Sequence, residues 1–190
     1  VAIFHPTCTY LTNSAEWAYA DPDFERYPGV GYHQQTEPGT LLGAARRAAR
    51  KSAIADVDRI DKLEIEKKIV ENPVGVLSSA FRQPDQIVQP YMFGDDASKA
   101  TCLWLWGLDE IPVPARTRWH PPRFVQWRGR SVERWSNQTD SGQNALSPGE
   151  DRWKERSRTY PGLGSALVAH VAADEPRRQG SLFASTGRNS

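Results

Sequence analysis

The sequence predicts an α/β fold, and three stretches carry that expectation. Val1–Phe4 is an apolar run that stops at His5-Pro6. Residues 40–60 are dense in helix formers, and Lys67–Val70 follows as a second short strand. Thr101–Trp106 is a third apolar run, long enough for a buried strand. The first three of these elements, strand, helix and strand, make a βαβ unit. If its strands are parallel neighbours, their carboxyl ends open on one edge of the sheet.

The first strand ends in the loop His5-Pro6-Thr7-Cys8-Thr9. Ligands of open α/β sheets sit in such loops. Cys8 reads there either as an exposed nucleophile or as a packed thiol, since cysteine is among the most often buried residues. Residues 13–39, rich in aromatics, Pro and Gly, read as a loop: a lid over a site or a surface connection. Thr40 to about Ile60 is the clearest helix. Thr40 can cap it, and Leu41, Leu42, Ala44, Ala45, Ala48 and Ala49 favour it. Arg46, Arg47, Arg50 and Lys51 form a basic cluster within it, either a solvated face or a nucleic-acid contact. The strand at Lys67–Val70 is broken by Glu71-Asn72-Pro73. Glu71 reads as a turn carboxylate by itself. If the two strands are parallel neighbours, it faces one site together with Cys8.

Ser78–Gly94 is polar and turn-rich, and Cys102 lies inside the third strand, as core. Pro112–Trp135 changes character. Arg116, Arg118, Arg123, Arg128, Arg130 and Arg134 stand against Glu133, with Trp119, His120, Trp127 and Trp135 interleaved. Arginines pair with phosphates and base edges, and indoles stack on bases. The alternative is a surface loop whose arginines pair with acids elsewhere. Ser136–Pro148 is a polar loop, Glu150–Arg158 a charged helix and Leu163–Ala173 a small apolar helix. The chain from Glu175 reads as a disordered tail.

The 190 residues suffice for a real core. A formal charge of +1 excludes a polycation, and a mean hydropathy of −0.63 is polar for a compact domain. Two cysteines, with no CxxC, support neither a disulfide framework nor a Cys-rich zinc site. No apolar run approaches a membrane span, and the expected setting is a reducing cytoplasm. Asn137-Gln138-Thr139 fits a glycosylation acceptor by chance.

Several motifs, in order, then carry a resemblance. They are His5 through Thr12; Glu71-Asn72-Pro73-Val74-Gly75; Pro84-Asp85-Gln86 with Gln89-Pro90-Tyr91; and Lys99 through Leu105. Trp135, Asn137 through Asn144, Asp151-Arg152-Trp153-Lys154 and Thr159-Tyr160-Pro161-Gly162 complete the set. Together they resemble the phage and bacterial DNA cytosine methyltransferase-like proteins of the cytosine-5 methyltransferase family. Residues 13–65 match least. Thr7 stands where that family usually has a second Pro, and Thr9 where the wider family has Gln.

The resemblance implies a partial Rossmann-like, doubly wound methyltransferase sheet with an irregular Trp/Arg-rich segment. It implies a catalytic portion at 1–111 and a DNA-recognition segment at 112–145. Closing helices at 146–174 and a tail at 175–190 complete the expected organisation. It makes Cys8 the nucleophile, Glu71 the carboxylate at the target base and Arg82 a further residue near that base. Pro6 and Thr7 would border S-adenosylmethionine. Arg116, Arg118, Arg123, Arg128, Arg130, Trp119 and Trp127 would contact double-stranded DNA with a flipped cytosine, in the cytoplasm of a bacterial host. The strands and Gly-containing loop that hold the cofactor in this family would precede Val1, so the 190 residues alone are expected not to methylate DNA. The other readings are a non-catalytic DNA-binding remnant of the same fold and an unrelated cysteine-nucleophile enzyme. The latter would need a His partner, and His5, His33, His120 and His170 show no recognisable spacing to Cys8.

Overall fold

A computed structural model describes residues 1–13, 15–21, 41–146, 155 and 157–184. In chain order the strands are β1 (Ala2–Phe4), β2 (Lys68–Pro73), β3 (Gln86–Val88), β4 (Thr101–Trp106), β5 (Arg123–Trp127) and β6 (Arg130–Arg134). The helices are α1 (Gly43–Asp61), α2 (Leu77–Ala80) and α3 (Pro161–Ala184). The fold is mixed α/β, and it divides into two compact units. The first holds Ala2–Asp85 and Cys102–Gly107. The second holds Gln86–Thr101 and the chain from Leu108 on.

In the first unit β1 pairs in parallel with β2, matching Ala2 with Lys68, Ile3 with Ile69 and Phe4 with Val70. α1 lies between them in sequence, so the expected βαβ order is present. β2 is flanked on its other side by β4. Residues 101–105 of β4 are all buried, as expected for an apolar run with neither face open to water. Leu11, Ala53, Val57, Val70, Leu77, Cys102 and Trp104 form one core cluster. Each buried Leu or Val there contributes about 1.5–3 kcal/mol. Cys102 is core, as its place in an apolar strand suggests.

α1 is held at both ends by distant side chains. Thr40, expected as its cap, lies outside the described residues. Leu42 stands at the N-cap without a side-chain cap, and the Ala44 N–H donates instead to Asp21 Oδ1 at 3.0 Å. Gly43 has φ +53°, and a Cβ there would fall 2.4 Å from Asp21 Oδ1, so only glycine fits. At the other end the buried Lys68 ammonium donates to the carbonyls of Ile60 (2.9 Å), Asp61 and Leu63 (3.0 Å). The ammonium thereby gathers the last carbonyls of α1 and one just past its end, where the partial negative charge of a helix C-terminus favours a cation.

One correction bears on function. Glu71-Asn72-Pro73 does not break the second strand; β2 runs through all three. Proline is tolerated there because it stands at the strand's last position, where its missing N–H costs little. Glu71 and Asn72 are therefore strand residues with buried side chains.

In the second unit β5 and β6 pair antiparallel, with Trp127 opposite Arg130. Arg128 and Gly129 form the turn with φ of 49° and 75°. Positive φ at both turn positions suits a tight two-residue hairpin. The Trp/Arg-rich segment thus contains a regular hairpin where an irregular segment was expected. α3 starts at Pro161, and the Asp95 carboxylate accepts from the Gly162 (3.1 Å) and Leu163 (3.3 Å) N–H groups. Residues 175–184, expected in a disordered tail, continue α3, since adding a residue to a formed helix costs far less than starting one. Most of the expected helix at 150–158 lies outside the described residues, as does most of the loop at 13–39. No helix among the described residues is long and apolar enough to cross a membrane.

Candidate active site

The parallel register of β1 and β2 continues into the loop that carries Cys8. Strand partners differ by 66 in number, and the next two positions keep that spacing. His5 Nδ1 lies 2.8 Å from Glu71 Oε2, and the Asn72 side-chain amide donates to the Pro6 carbonyl at 3.0 Å. The first strand's loop and the end of β2 are thus laid side by side by backbone geometry. Asn72 is fully buried, and its Oδ1 finds no partner.

Cys8 opens a single 3-10 turn, Cys8–Tyr10, and is half-buried. Its carbonyl accepts from the Leu11 and Thr12 N–H groups at 3.0 and 3.1 Å. Two further ties fasten this stretch to the segment after β2. The Val76 N–H donates to the Leu11 carbonyl at 2.9 Å, and Thr12 bridges Gly75. A Cβ at Gly75 would fall 1.9 Å from the Leu11 oxygen, so this seam closes only over glycine.

The electrostatics separate the two thiols. Burial, with the nearby Glu71 charge adding to it, pushes Cys102 up to about 11. Cys102 is wholly buried, so it is protonated and out of reach near neutral pH. Cys8 is the thiol left for chemistry. Glu71 is buried to 7% exposure, while the His5 side chain facing it remains 48% exposed. This arrangement pairs a carboxyl group inside the protein with an imidazole that reaches solvent.

Sequence reasoning passed over His5 because it sought a spacing to Cys8. The partner is Glu71, and the signal was positional: His5 follows Phe4, the last residue of β1, and Glu71 follows Val70, its partner inside β2. The basic cluster of α1 divides: Arg46 is buried and Arg50 half-buried, both bonding backbone carbonyls of the first unit, whereas Arg47 and Lys51 are exposed, as a solvated face requires.

Arg82 is engaged elsewhere. Its guanidinium pairs with Asp85 at 2.8 Å, donates to the Leu105 carbonyl at 3.2 Å and lies 4.7 Å from the Trp106 ring centre. Burial works against the Asp85 charge. The Arg82 guanidinium and the Leu105 N–H outweigh it and hold that carboxyl below its usual range. No hydrogen bond links Arg82 to His5, Cys8 or Glu71. Pro6 has no N–H, and Asn72 takes its carbonyl, while Thr7 is exposed. Among the described residues no cluster of His, Cys, Asp or Glu could hold a metal ion.

The remaining expected residues lie in the second unit. Strand alternation places Arg123, Val125, Trp127, Arg130, Val132 and Arg134 on one face of the hairpin. Arg118, Arg128 and Arg130 are exposed, and the Arg128 guanidinium sits 5.7 Å from the Trp127 ring centre. Arg123 pairs with Asp140 at 2.6 Å, and Arg116 with Glu133 at 3.2 Å. Trp119 is half-buried, its N–H donating to the Pro114 carbonyl, and it tilts against Tyr91, which stacks on Trp135 at 3.9 Å. A cleft of about 370 Å³ beside them is lined by Tyr91, Arg116, Trp119, His120, Glu133 and Trp135.

No family model, curated protein or solved structure matches this chain.

Proposed function

We propose that this chain carries the cytosine-activating part of a DNA cytosine-5 methyltransferase with a Rossmann-like sheet. One observation carries the proposal. Two parallel neighbouring strands deliver Cys8 and Glu71 to one edge, and the His5–Glu71 and Pro6–Asn72 contacts hold the two segments in register. The chemistry needs both groups. Carbon 5 of cytosine is a poor nucleophile. The Cys8 thiolate adds to carbon 6, forming an S–C bond, and the ring's π electrons move toward nitrogen 3. Glu71, as the acid, places a proton on nitrogen 3 and offsets that charge. His5 bridges the buried carboxyl to solvent and returns a proton to it. Carbon 5 is then enamine-like and open to an electrophile, which S-adenosylmethionine supplies in the resembling family; loss of the carbon-5 proton with breaking of the S–C bond then restores the ring and frees Cys8. A base within a duplex must leave the stack to be reached, so flipping is required. The exposed arginines and Trp127 of the hairpin supply phosphate and stacking contacts of the kind a DNA-binding ribbon uses.

Thiol addition requires no cofactor, so the reading is testable on this chain. Duplex DNA carrying 5-azacytosine, which is electrophilic at carbon 6, is expected to form an adduct that survives denaturing electrophoresis. Cys8→Ser should abolish it, and Glu71→Gln should slow it by about 100-fold to 1,000-fold. An adduct formed equally by Cys8→Ser would refute the assignment.

A further inference from the structure

The 3-10 turn that begins at Cys8 leaves carbonyls without helical partners, and α1 supplies them. Arg50 Nε donates to the Tyr10 carbonyl at 2.9 Å, and its Nη2 donates to the Thr12 carbonyl at 3.2 Å and to Glu16 at 2.8 Å. Arg46, one helical turn earlier on the same face, reaches the Leu41 carbonyl at 3.3 Å and the Thr9 carbonyl at 3.5 Å. The Tyr19 ring packs on both guanidinium groups, 3.5 Å from Arg50 and 4.9 Å from Arg46. Its hydroxyl donates to the Tyr10 carbonyl at 3.0 Å. Tyr10 adds a second ring, 5.5 Å from Arg46.

Arg46 is the unusual member. It is 6% exposed, its Nε has no partner, and no carboxylate among the described residues pairs with it. A buried cation without an acid is costly to keep. Among the described residues it is compensated by the Leu41 and Thr9 carbonyls and by the Tyr10 and Tyr19 rings, of which Thr9 and Tyr10 belong to the Cys8 turn. The opposite side of the same stretch is tied by Asn72, Val76 and Gly75. Residues 6–12 are thus clamped between the end of β2 and α1.

We propose that Arg50 and Arg46 are positioning residues for Cys8. They hold the carbonyls that follow it and so fix the turn from which the thiol is presented, a role that rests on Cys8 being the nucleophile. A guanidinium fork can serve two carbonyls at once, whereas an ammonium is a point donor.

The test uses the full chain and duplex DNA carrying 5-azacytosine, comparing wild type with Arg50→Met, Arg50→Lys and Arg46→Met. Two quantities are read: the adduct-forming rate at saturating DNA and the DNA concentration giving half that rate. Loss of positioning lowers the saturated rate about tenfold to a hundredfold in Arg50→Met. The half-saturating concentration stays within about twofold, and Arg50→Lys recovers part of the rate. If Arg46→Met does not fold, the two Arg50 variants decide, since that side chain is only half-buried. Unchanged saturated rates in the Arg50 variants would overturn the positioning role alone. So would a raised half-saturation at unchanged rate, which would place the arginines on DNA. Absence of adduct in wild type would overturn the nucleophile assignment, and this role with it.

Discussion

Gly75→Ala probes the seam that holds the Cys8 loop against β2. A Cβ at residue 75 would stand 1.9 Å from the Leu11 oxygen and 2.8 Å from Thr12 Cα. Both atoms are backbone, so no rotamer change relieves the clash. Reaching ordinary contact at 3.4 Å requires the two segments to part by about 1.5 Å. That separation breaks the 2.9 Å bond from Val76 N–H to the Leu11 carbonyl, and the Thr12–Gly75 bridge with it. Overpacking of this kind costs about 1–3 kcal/mol, and a lost backbone hydrogen bond about 1 kcal/mol. The sum is about 2–4 kcal/mol, or a fall in melting temperature of about 5–15 °C. Thermal melts followed by circular dichroism read the stability. Carbamidomethylation of Cys8 by iodoacetamide reads the loop and is expected to accelerate. A variant that melts within about 2 °C of wild type, with Cys8 alkylated at the wild-type rate, would refute the close-packed seam.

Three further outcomes follow from the geometry. Cys102, raised to about 11 when folded, stays protonated above pH 9 while the unfolded thiol ionises. The first unit therefore loses stability between pH 9 and 11, by about 2–3 kcal/mol at the upper end. Urea titrations across that range should show a steeper decline in wild type than in Cys102→Ala, and equal slopes would contradict the assignment. Lys68→Met removes the ammonium that caps three carbonyls at the end of α1 and is expected to cost about 2–3 kcal/mol in the same assay; unchanged stability would argue that water serves those carbonyls equally well. Replacing Arg123, Arg128 and Arg130 together by Gln should flatten the dependence of log affinity for duplex DNA on log salt by about 2–3. Fluorescence anisotropy measures it, and an unaltered slope would remove the hairpin from the DNA contact.

The sequence was most readable where burial writes a simple pattern. Thr101–Trp106 is continuously apolar and forms β4 with those bounds, and Val1–Phe4 and Lys67–Val70 locate the parallel pair to within a residue at their starts. It was least readable where long-range contacts overrule local signals. Pro73 looks like a strand breaker, yet β1 and β4 on either side of β2 keep Glu71 and Asn72 extended. The hairpin turn at Arg128-Gly129 was hidden because arginine is an uncommon first residue for positive φ. Arg46 and Arg50 of α1 look solvated in a helix that also carries acids; only the fold shows that carbonyls of residues 9–12 face them. His5 and Glu71 are adjacent in register but 66 residues apart in the chain, a pairing that no local spacing contains.

The most direct measurement is the mass of the DNA-bound peptide after digestion of the 5-azacytosine complex with nuclease and trypsin. Trypsin separates the two thiols, leaving Cys8 in the peptide Val1–Arg26 and Cys102 in Ala100–Arg116. A nucleotide mass added to Val1–Arg26 and located at Cys8 is the expected result. An adduct on the Cys102 peptide, or a Val1–Arg26 peptide that stays unmodified under conditions where the chain binds the DNA, would contradict the proposal that Cys8 attacks cytosine.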